Sequence, residues 1–246
     1  VCSSWYYLRY PNASYDESPY DPNRLKWLPV DCYIGGAEHA TMHLLYARFM
    51  TKALRDGGYI DFDEPFIKLY HQGTITKEGF KMSKSRGNTV SPDDFIEKYG
   101  SDTFRAYLMF MGPYDEGGDW NDTGITGISR FIRKIWKFCK LPNTDIKADK
   151  NDLQILHQTI KSVTNDLHLL KFNTAISRLM EFINHFSGHT EIQLYIKRDF
   201  IKIIAPIVPH IAEEVWEHNG GTSSVFTEGY PNFDPAIAEE HSISIA

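Results

Sequence analysis

The sequence predicts an α/β unit followed by an all-α helix bundle, on three observations. A β-prone run, "VDCYIGG" (30–36), stops on two glycines and runs into a stretch of good helix formers, "AEHATMHLLYARFMTKAL" (37–54). A second β-prone run, "FIKLYHQG" (66–73), then completes the strand–helix–strand rhythm of a parallel sheet. Beyond residue 128 apolar positions recur three and four apart through successive helices, and no strand pattern returns.

In chain order, "SSWYYLRY" (3–10) reads as a short aromatic helix or turn capped by Ser3 or Ser4, and a Pro-rich irregular loop follows. The helix over 37–54 is expected to end at Gly57-Gly58. The second strand is expected to run straight into a glycine-edged loop, "GFKMSKSRGN" (79–88). In "SPDDFIEKYG", Ser91 is the expected N-cap, Pro92 sits in the first turn, and Asp93 and Asp94 face the positive helix end. Gly100 closes that helix, "SDTFRAYLMFM" begins another, and "PYDEGGDWN" (113–121) is a turn-rich break.

From Ser129 onward the pattern is helical. Leu153, Leu156, Ile160, Val163, Leu167 and Leu170 step 3,4,3,4,3, a seam for packing on other helices. Ile176, Leu179, Ile183 and Phe186 repeat it on a helix expected to be capped by Asn173 and ended by Gly188. The stretch 191–218 contains Pro206 and Pro209, so it is expected to kink or split there.

Composition narrows the function classes. No apolar run is long enough to span a membrane. "VCSSWYYLRY" lacks the basic start and apolar stretch of a secretory signal, and the absence of an initiating Met suggests a fragment or processed chain. Cys2, Cys32 and Cys139 share no short spacing, so neither a zinc site nor a disulfide framework is expected, and a reducing cytoplasm is the default. A net charge of −6 argues against bulk binding of nucleic acid and leaves room for a local basic face.

The loop at 79–88 is where chemistry concentrates. It is not a phosphate loop of the Gly-x-x-x-x-Gly-Lys type, and no Gly-x-Gly-x-x-Gly turn occurs. Lys81 and Lys84 can still clamp a polyphosphate as two movable point charges, tightening as charge builds on a leaving pyrophosphate. The rival reading is a solvated basic turn. Gly35 and Gly36 would let a ligand approach the backbone at a strand end. His39 and His43, at i and i+4, are expected on one helical face; metal binding and a packed core pair are rivals to ligand contact. Along the helix from Ser129, Arg130, Arg133, Lys134, Lys137 and Lys140 form a stripe opposite Phe131, Ile132, Ile135, Phe138 and Cys139. That stripe suits nucleic-acid phosphates or is simply solvated.

"KMSKS" followed by "GN" resembles the second signature of the class I aminoacyl-tRNA synthetases. "YIGGAEHATMHLLYARF" (33–49) is similar to the leucyl-tRNA synthetase segment lining the adenylate pocket. "SSWYYLRY" resembles the segment after that family's editing insertion, "DWNDTGITGISRF" (119–131) its junction into the bundle, and "IAPIVPHIAEEVW" (204–216) a bundle helix. The resemblance implies the second half of a Rossmann-like catalytic domain over 1–85, a connecting stem-contact segment over 86–128, and an anticodon-binding-type bundle over 129–246.

It also implies roles. Lys81 and Lys84 would be catalytic, with Met82, Ser83, Lys84, Ser85, Gly35, Gly36, Glu38, His39 and Gln72 on ATP. Ser3, Tyr6, Tyr33, His39 and His43 would shape the leucine pocket, and Arg130, Arg133, Lys134 and Lys137 would meet tRNA. ATP would enter with Mg2+ as substrate, with no metal held by the protein itself. The implied protein is a cytoplasmic monomer acting on leucine, ATP and tRNA(Leu).

The family's first signature, His-Ile-Gly-His, is absent, "EHATMH" being the nearest string, so the chain is expected to be inactive alone. The editing domain and the small insertion before the lysine loop are also missing. Three other readings stay open: a non-catalytic tRNA-binding module derived from a synthetase, an isoleucyl- or valyl-type relative, and a tRNA-independent ligase on the same fold.

Overall fold

The computed structural model describes residues 2–239, and packing divides the chain into two compact units, 1–74 and 75–246. In the first unit, 3₁₀ turns at Cys2–Ser4, Tyr6–Leu8, Tyr10–Asn12 and Pro22–Trp27 lead to β1 (Val30–Gly35). A further 3₁₀ turn, Ala37–Thr41, precedes α1 (His43–Asp56), and β2 (Phe66–His71) lies parallel to β1 with Val30 opposite Phe66 and Gly35 opposite His71. The expected strand–helix–strand unit is therefore present.

The helix starts later than the run of helix formers implied. Met42 has φ −127° and ψ −77°, outside the helical region, so residues 37–41 form a separate tight turn. Propensity favours helix at each of these residues without fixing where the chain turns off the strand.

A small core of Tyr7, Leu8, Tyr20, Ala47 and Ile60 holds this unit together, and the buried Tyr7 hydroxyl is hydrogen-bonded to Thr51. Not all of its apolar surface is used. Met42, Leu45, Tyr46 and Phe49 recur at helical spacing from the start of α1 and are 54–68% exposed, and Ile67 and Leu69 of β2 are exposed as well.

The second unit contains a three-stranded sheet in the order β4–β3–β5: β3 (Thr74–Lys77), β4 (Phe80–Lys81) and β5 (Gly117–Trp120). β3 and β4 form a hairpin, Thr76 opposite Lys81 and Lys77 opposite Phe80, around Glu78 (φ 56°) and Gly79 (φ 74°). The lysine loop thus hangs from a hairpin instead of following the 66–73 strand directly. Strands of four and two residues are too short for alternation to show in the sequence. The break at 113–121 likewise contains β5.

Between β4 and β5, α2 (Pro92–Tyr99) and α3 (Ser101–Phe110) meet at Gly100, whose φ of 86° suits glycine. Ser91 occupies the N-cap position of α2, but its side chain makes no capping bond.

α4 (Ile125–Cys139), α5 (Lys150–His168), α6 (Phe172–His185), α7 (Leu194–Ile204), α8 (Pro209–His218) and the short α9 (Pro235–Ala238) follow, so helix begins a turn earlier than Ser129. Leu156, Ile160 and Val163 are buried as the seam required, and Leu153 and Leu167 pack at its edge. Leu170 does not continue it: with φ 56° it lies beyond the end of α5. That turn brings Lys171, not Asn173, to the cap of α6.

The two prolines split 191–218 into α7 and α8, with Pro209 in the first turn of α8. Asp102 of α3, 4% exposed, accepts the Ile211 N–H at 2.7 Å and meets His210 Nδ1 at 2.7 Å, satisfying the open start of α8. At the centre, the Phe182 ring stacks on Phe200 with centroids 4.5 Å apart and planes 9° from parallel. Buried Lys197 donates to the Leu141 carbonyl at 2.7 Å, and burial pushes its ammonium below the usual lysine range. Burial pushes the neighbouring Cys139 thiol up to about 12. The bundle's expected end at 246 lies outside the described residues.

Candidate functional site

In the first unit the carboxyl ends of the two parallel strands bring Gly35-Gly36 and His71-Gln72 together, because Gly35 is the register partner of His71. Ligands of open α/β sheets bind at such strand ends. His71 Nδ1 lies 3.2 Å from the Gly35 carbonyl. A Cβ on Gly35 would come within 3.5 Å of the Tyr33 ring and 4.0 Å of the His39 ring, and one on Gly36 would collide with the Glu38 carboxylate in its present position.

A hydrogen-bonded chain runs beside that strand end. The Tyr6 hydroxyl donates to Tyr33 Oη at 3.2 Å, and Tyr33 Oη lies 2.7 Å from His43 Nε2. The Tyr33 hydroxyl can accept from Tyr6 and still share its own hydrogen with a neutral His43 imidazole at Nε2. Burial, and then the charge of His39, lower the His43 pKa from its ordinary value. Burial and the bond to Tyr33 raise that of Tyr6.

His39 and His43 do not share one helix, since the former lies in the 3₁₀ turn and the latter opens α1. Their rings nonetheless meet edge to face, 6.2 Å apart. The turn carrying Ser3 packs against α1. Tyr6, Tyr33, His39 and His43 thus converge, with Gly35 alongside, while Gln72 and Glu38 are exposed near the strand ends.

Sequence reasoning missed two contributors here. Phe66 stacks on Tyr33 at 4.1 Å and fixes its ring, and His71 reaches the Gly35 carbonyl. Position at either end of "FIKLYHQG" was the available signal, but pairing register is needed to read it.

In the second unit Lys81 ends β4 and Lys84 opens a 3₁₀ turn, Lys84–Arg86, closed by Gly87 in the left-handed region (φ 67°). Both lysines are exposed, and among the described residues neither they nor Arg86 forms an ion pair. Met82 is half-buried against the core, the Ser83 and Ser85 hydroxyls lie 3.2 Å apart, and the Arg86 guanidinium sits 5.5 Å from the Phe80 ring centre. The result is two uncommitted ammonium groups on a loop anchored by its methionine.

On α4 the stripe is exposed: Arg130, Arg133, Lys134 and Lys137 point outward, while Phe131, Ile132, Ile135, Phe138 and Cys139 are buried. Lys134 also donates to Asn184 Oδ1 at 2.9 Å. Among the described residues no group of three or more His, Cys, Asp and Glu is arranged to hold a metal ion, and no helix is long and apolar enough to cross a membrane.

Comparison with known proteins gives these features a family. Residues 8–121 match the model of tRNA synthetases class I (I, L, M and V), and residues 149–246 that of the anticodon-binding domain of tRNA ligase. A leucine–tRNA ligase of Clostridium perfringens is 49% identical across the whole of this chain, and one of Dehalococcoides mccartyi is 46% identical. The chain spans 33% and 32% of their lengths. A crystallised ternary complex of Agrobacterium radiobacter LeuRS with tRNA and LeuAMS superposes with a TM-score of 0.84 at 34% identity, covering 96% of this chain and 34% of that one. Two family models on successive parts, whole-chain identity near one half and a shared fold converge on one conclusion: the chain belongs to the leucine–tRNA ligases of the class I tRNA synthetase family and spans about a third of the length of the relatives it matches.

Proposed function

We propose that this chain supplies part of the leucine-activating machinery and the RNA-binding bundle of a leucine–tRNA ligase. In that reaction the leucine carboxylate attacks the α-phosphorus of ATP and expels pyrophosphate, and the leucyl group then passes to a ribose hydroxyl of tRNA(Leu). No strong base is required, because the carboxylate is already ionised at neutral pH; positioning and charge neutralisation are the protein's tasks. Mg2+ enters with ATP as part of the substrate.

Tyr6, Tyr33, His39 and His43 wall the leucine pocket with Ser3, their rings giving apolar surface and their polar tips orienting the amino acid. Gly35, Gly36, Glu38 and Gln72 meet the adenosine. Lys81 and Lys84, with Met82, Ser83 and Ser85, hold the triphosphate and neutralise the leaving pyrophosphate. Arg130, Arg133, Lys134 and Lys137 contact tRNA phosphates. The divisions 1–85, 86–128 and 129–246 are the functional ones: catalytic half, stem contact and bundle. The protein works as a monomer in the cytoplasm.

The observation that carries this reading is the pair of exposed lysines without ion-pair partners on a glycine-closed loop, in a chain similar throughout to leucine–tRNA ligases. The exposed apolar side chains of α1 and β2 support a further point: in a full-length ligase, about three times as long, this face is covered by parts outside this chain. The chain alone therefore binds ATP poorly and forms no leucyl-adenylate. Leucine-dependent ATP–pyrophosphate exchange tests both parts. It should be present in a full-length ligase carrying this chain, lost when Lys81 and Lys84 become alanine, and absent from residues 1–246 alone. Exchange by the isolated chain at an intact enzyme's rate would refute the division of labour.

A further inference from the structure

The lysine loop has little packing of its own: Lys81, Lys84, Ser85 and Arg86 are exposed, and only Met82 reaches the core. A clamp for polyphosphate needs its charges delivered to a defined place, so something must hold the loop. Two side chains do, and neither is a lysine or serine of the motif.

Asp119 stands on β5 beside Trp120, which is 5% exposed and packed edge-on against Phe95 at 4.7 Å and Tyr107 at 5.1 Å. The next residue, Asn121, exchanges backbone hydrogen bonds with the Tyr107 hydroxyl at 2.8 and 3.1 Å. Asp119 is thus an exposed carboxylate on a rigid support. Its Oδ1 accepts the Thr76 hydroxyl at 2.6 Å and the Gly79 N–H at 2.9 Å, fastening β3 and the hairpin tip at once. Those bonds, the Thr76 hydroxyl foremost, hold its carboxyl below the usual carboxylate range. A second tie runs from Lys77 to Asp122 at 3.5 Å. Two residues past the tip, β4 ends in Lys81.

At the other end of the loop, Asn88 accepts the Ser83 N–H on Oδ1 at 2.9 Å, and its amide reaches the Lys81 carbonyl at 3.4 Å. One side chain thereby bridges back across residues 81–88. With Gly87 in the left-handed region, these bonds define the excursion on which Lys84 sits.

We propose that Asp119 and Asn88 are positioning residues for the lysine loop, Asp119 fixing the hairpin that delivers Lys81 and Asn88 closing the loop that carries Lys84. The inference rests on the reading of that loop as the triphosphate clamp. Amide hydrogen exchange on the chain and leucine-dependent ATP–pyrophosphate exchange in a full-length ligase carrying it are the two measurements.

Asp119→Ala should speed exchange at the amides of residues 79–83, raise the KM for ATP and lower kcat between about tenfold and 10²-fold, with the KM for leucine unchanged. Asp119→Asn, which keeps an acceptor in place, should recover most of the loss. Asn88→Ala should free the Ser83 amide, and Thr76→Val, nearly isosteric, should give a smaller version of the Asp119→Ala effect, so the proposal stays testable if Asp119→Ala folds poorly. Unchanged amide exchange across 79–83, or equal rises in the KM for leucine and ATP, would overturn it. If Lys81→Ala and Lys84→Ala themselves leave pyrophosphate exchange intact, the clamp reading falls separately, and amide exchange still decides whether Asp119 and Asn88 hold the loop.

Discussion

Tyr33 Oη lies 2.7 Å from His43 Nε2 and receives the Tyr6 hydroxyl at 3.2 Å, so three rings from the turn at 6–8, β1 and α1 share one line of hydrogen bonds. Tyr33→Phe removes the middle of that line. A neutral hydrogen bond contributes about 0.5–1.5 kcal/mol net, so a roughly two- to tenfold rise in the KM for leucine is expected in a full-length ligase, with the KM for ATP unchanged. Steady-state pyrophosphate exchange with each substrate varied in turn checks it.

The same line predicts a pH dependence. The lowered His43 pKa means the folded form holds the neutral imidazole more firmly than the unfolded chain does. Its contribution is therefore complete above the ordinary histidine value near 6.5 and is lost as pH falls through the lower folded value. Proton titration followed by NMR should place His43 below an unperturbed histidine, and His39→Ala should raise it. Leucine affinity should weaken over the same acidic window, because protonation fixes a hydrogen on Nε2 facing the Tyr33 hydroxyl and brings a positive charge to the pocket wall.

Glu64 gives a second acid-sensitive window. The Arg48 guanidinium, bonded at 2.8 Å through both Nε and Nη2, holds its carboxyl down to about 2. The stabilisation is present above the ordinary value near 4.5 and is lost as pH falls toward 2. Both side chains are well exposed, 55% and 40%, so screening keeps the effect small. Glu64→Gln should flatten the melting temperature between pH 4.5 and pH 2, its small loss of stability being complete at pH 7 and fading as pH falls toward 2.

On α4, Arg133→Glu with Lys137→Glu should weaken tRNA binding and reduce the slope of log affinity against log salt by about 0.7–0.9 for each phosphate that is no longer neutralised. Filter binding between low and physiological salt reads the slope. Unchanged affinity at low salt would show that the stripe is only a solvated face.

Phe182→Ala should cost about 3–5 kcal/mol, because its ring is fully buried against Phe200 and Phe138 and its removal leaves a cavity in the core. Denaturant unfolding of the bundle checks it.

Much of this was legible in the sequence where a residue's environment repeats along the chain. Leu156, Ile160 and Val163 declare a buried helix face by spacing alone, and Pro206 and Pro209 declare a break by their missing N–H groups. What did not show depends on partners distant in sequence. Phe66 and Tyr33 are neighbours only once β1 and β2 take their register, and Asp119 meets Thr76 across forty-three positions. Met42 and Leu170 are ordinary helix formers whose backbones turn away for reasons set by the surrounding chain. Motif strings located the loop, but what steadies it required the fold.

The bare stripe of Met42, Leu45, Tyr46 and Phe49 has a practical corollary. Handled by itself, this polypeptide should be sticky: it should brighten hydrophobic dyes, scatter light increasingly as it is concentrated, and stay clear in mild detergent. A biochemist purifying it would meet that behaviour before measuring any catalysis, and covering the stripe, by glutamate at Leu45 and Phe49 or by the missing neighbours, is the remedy.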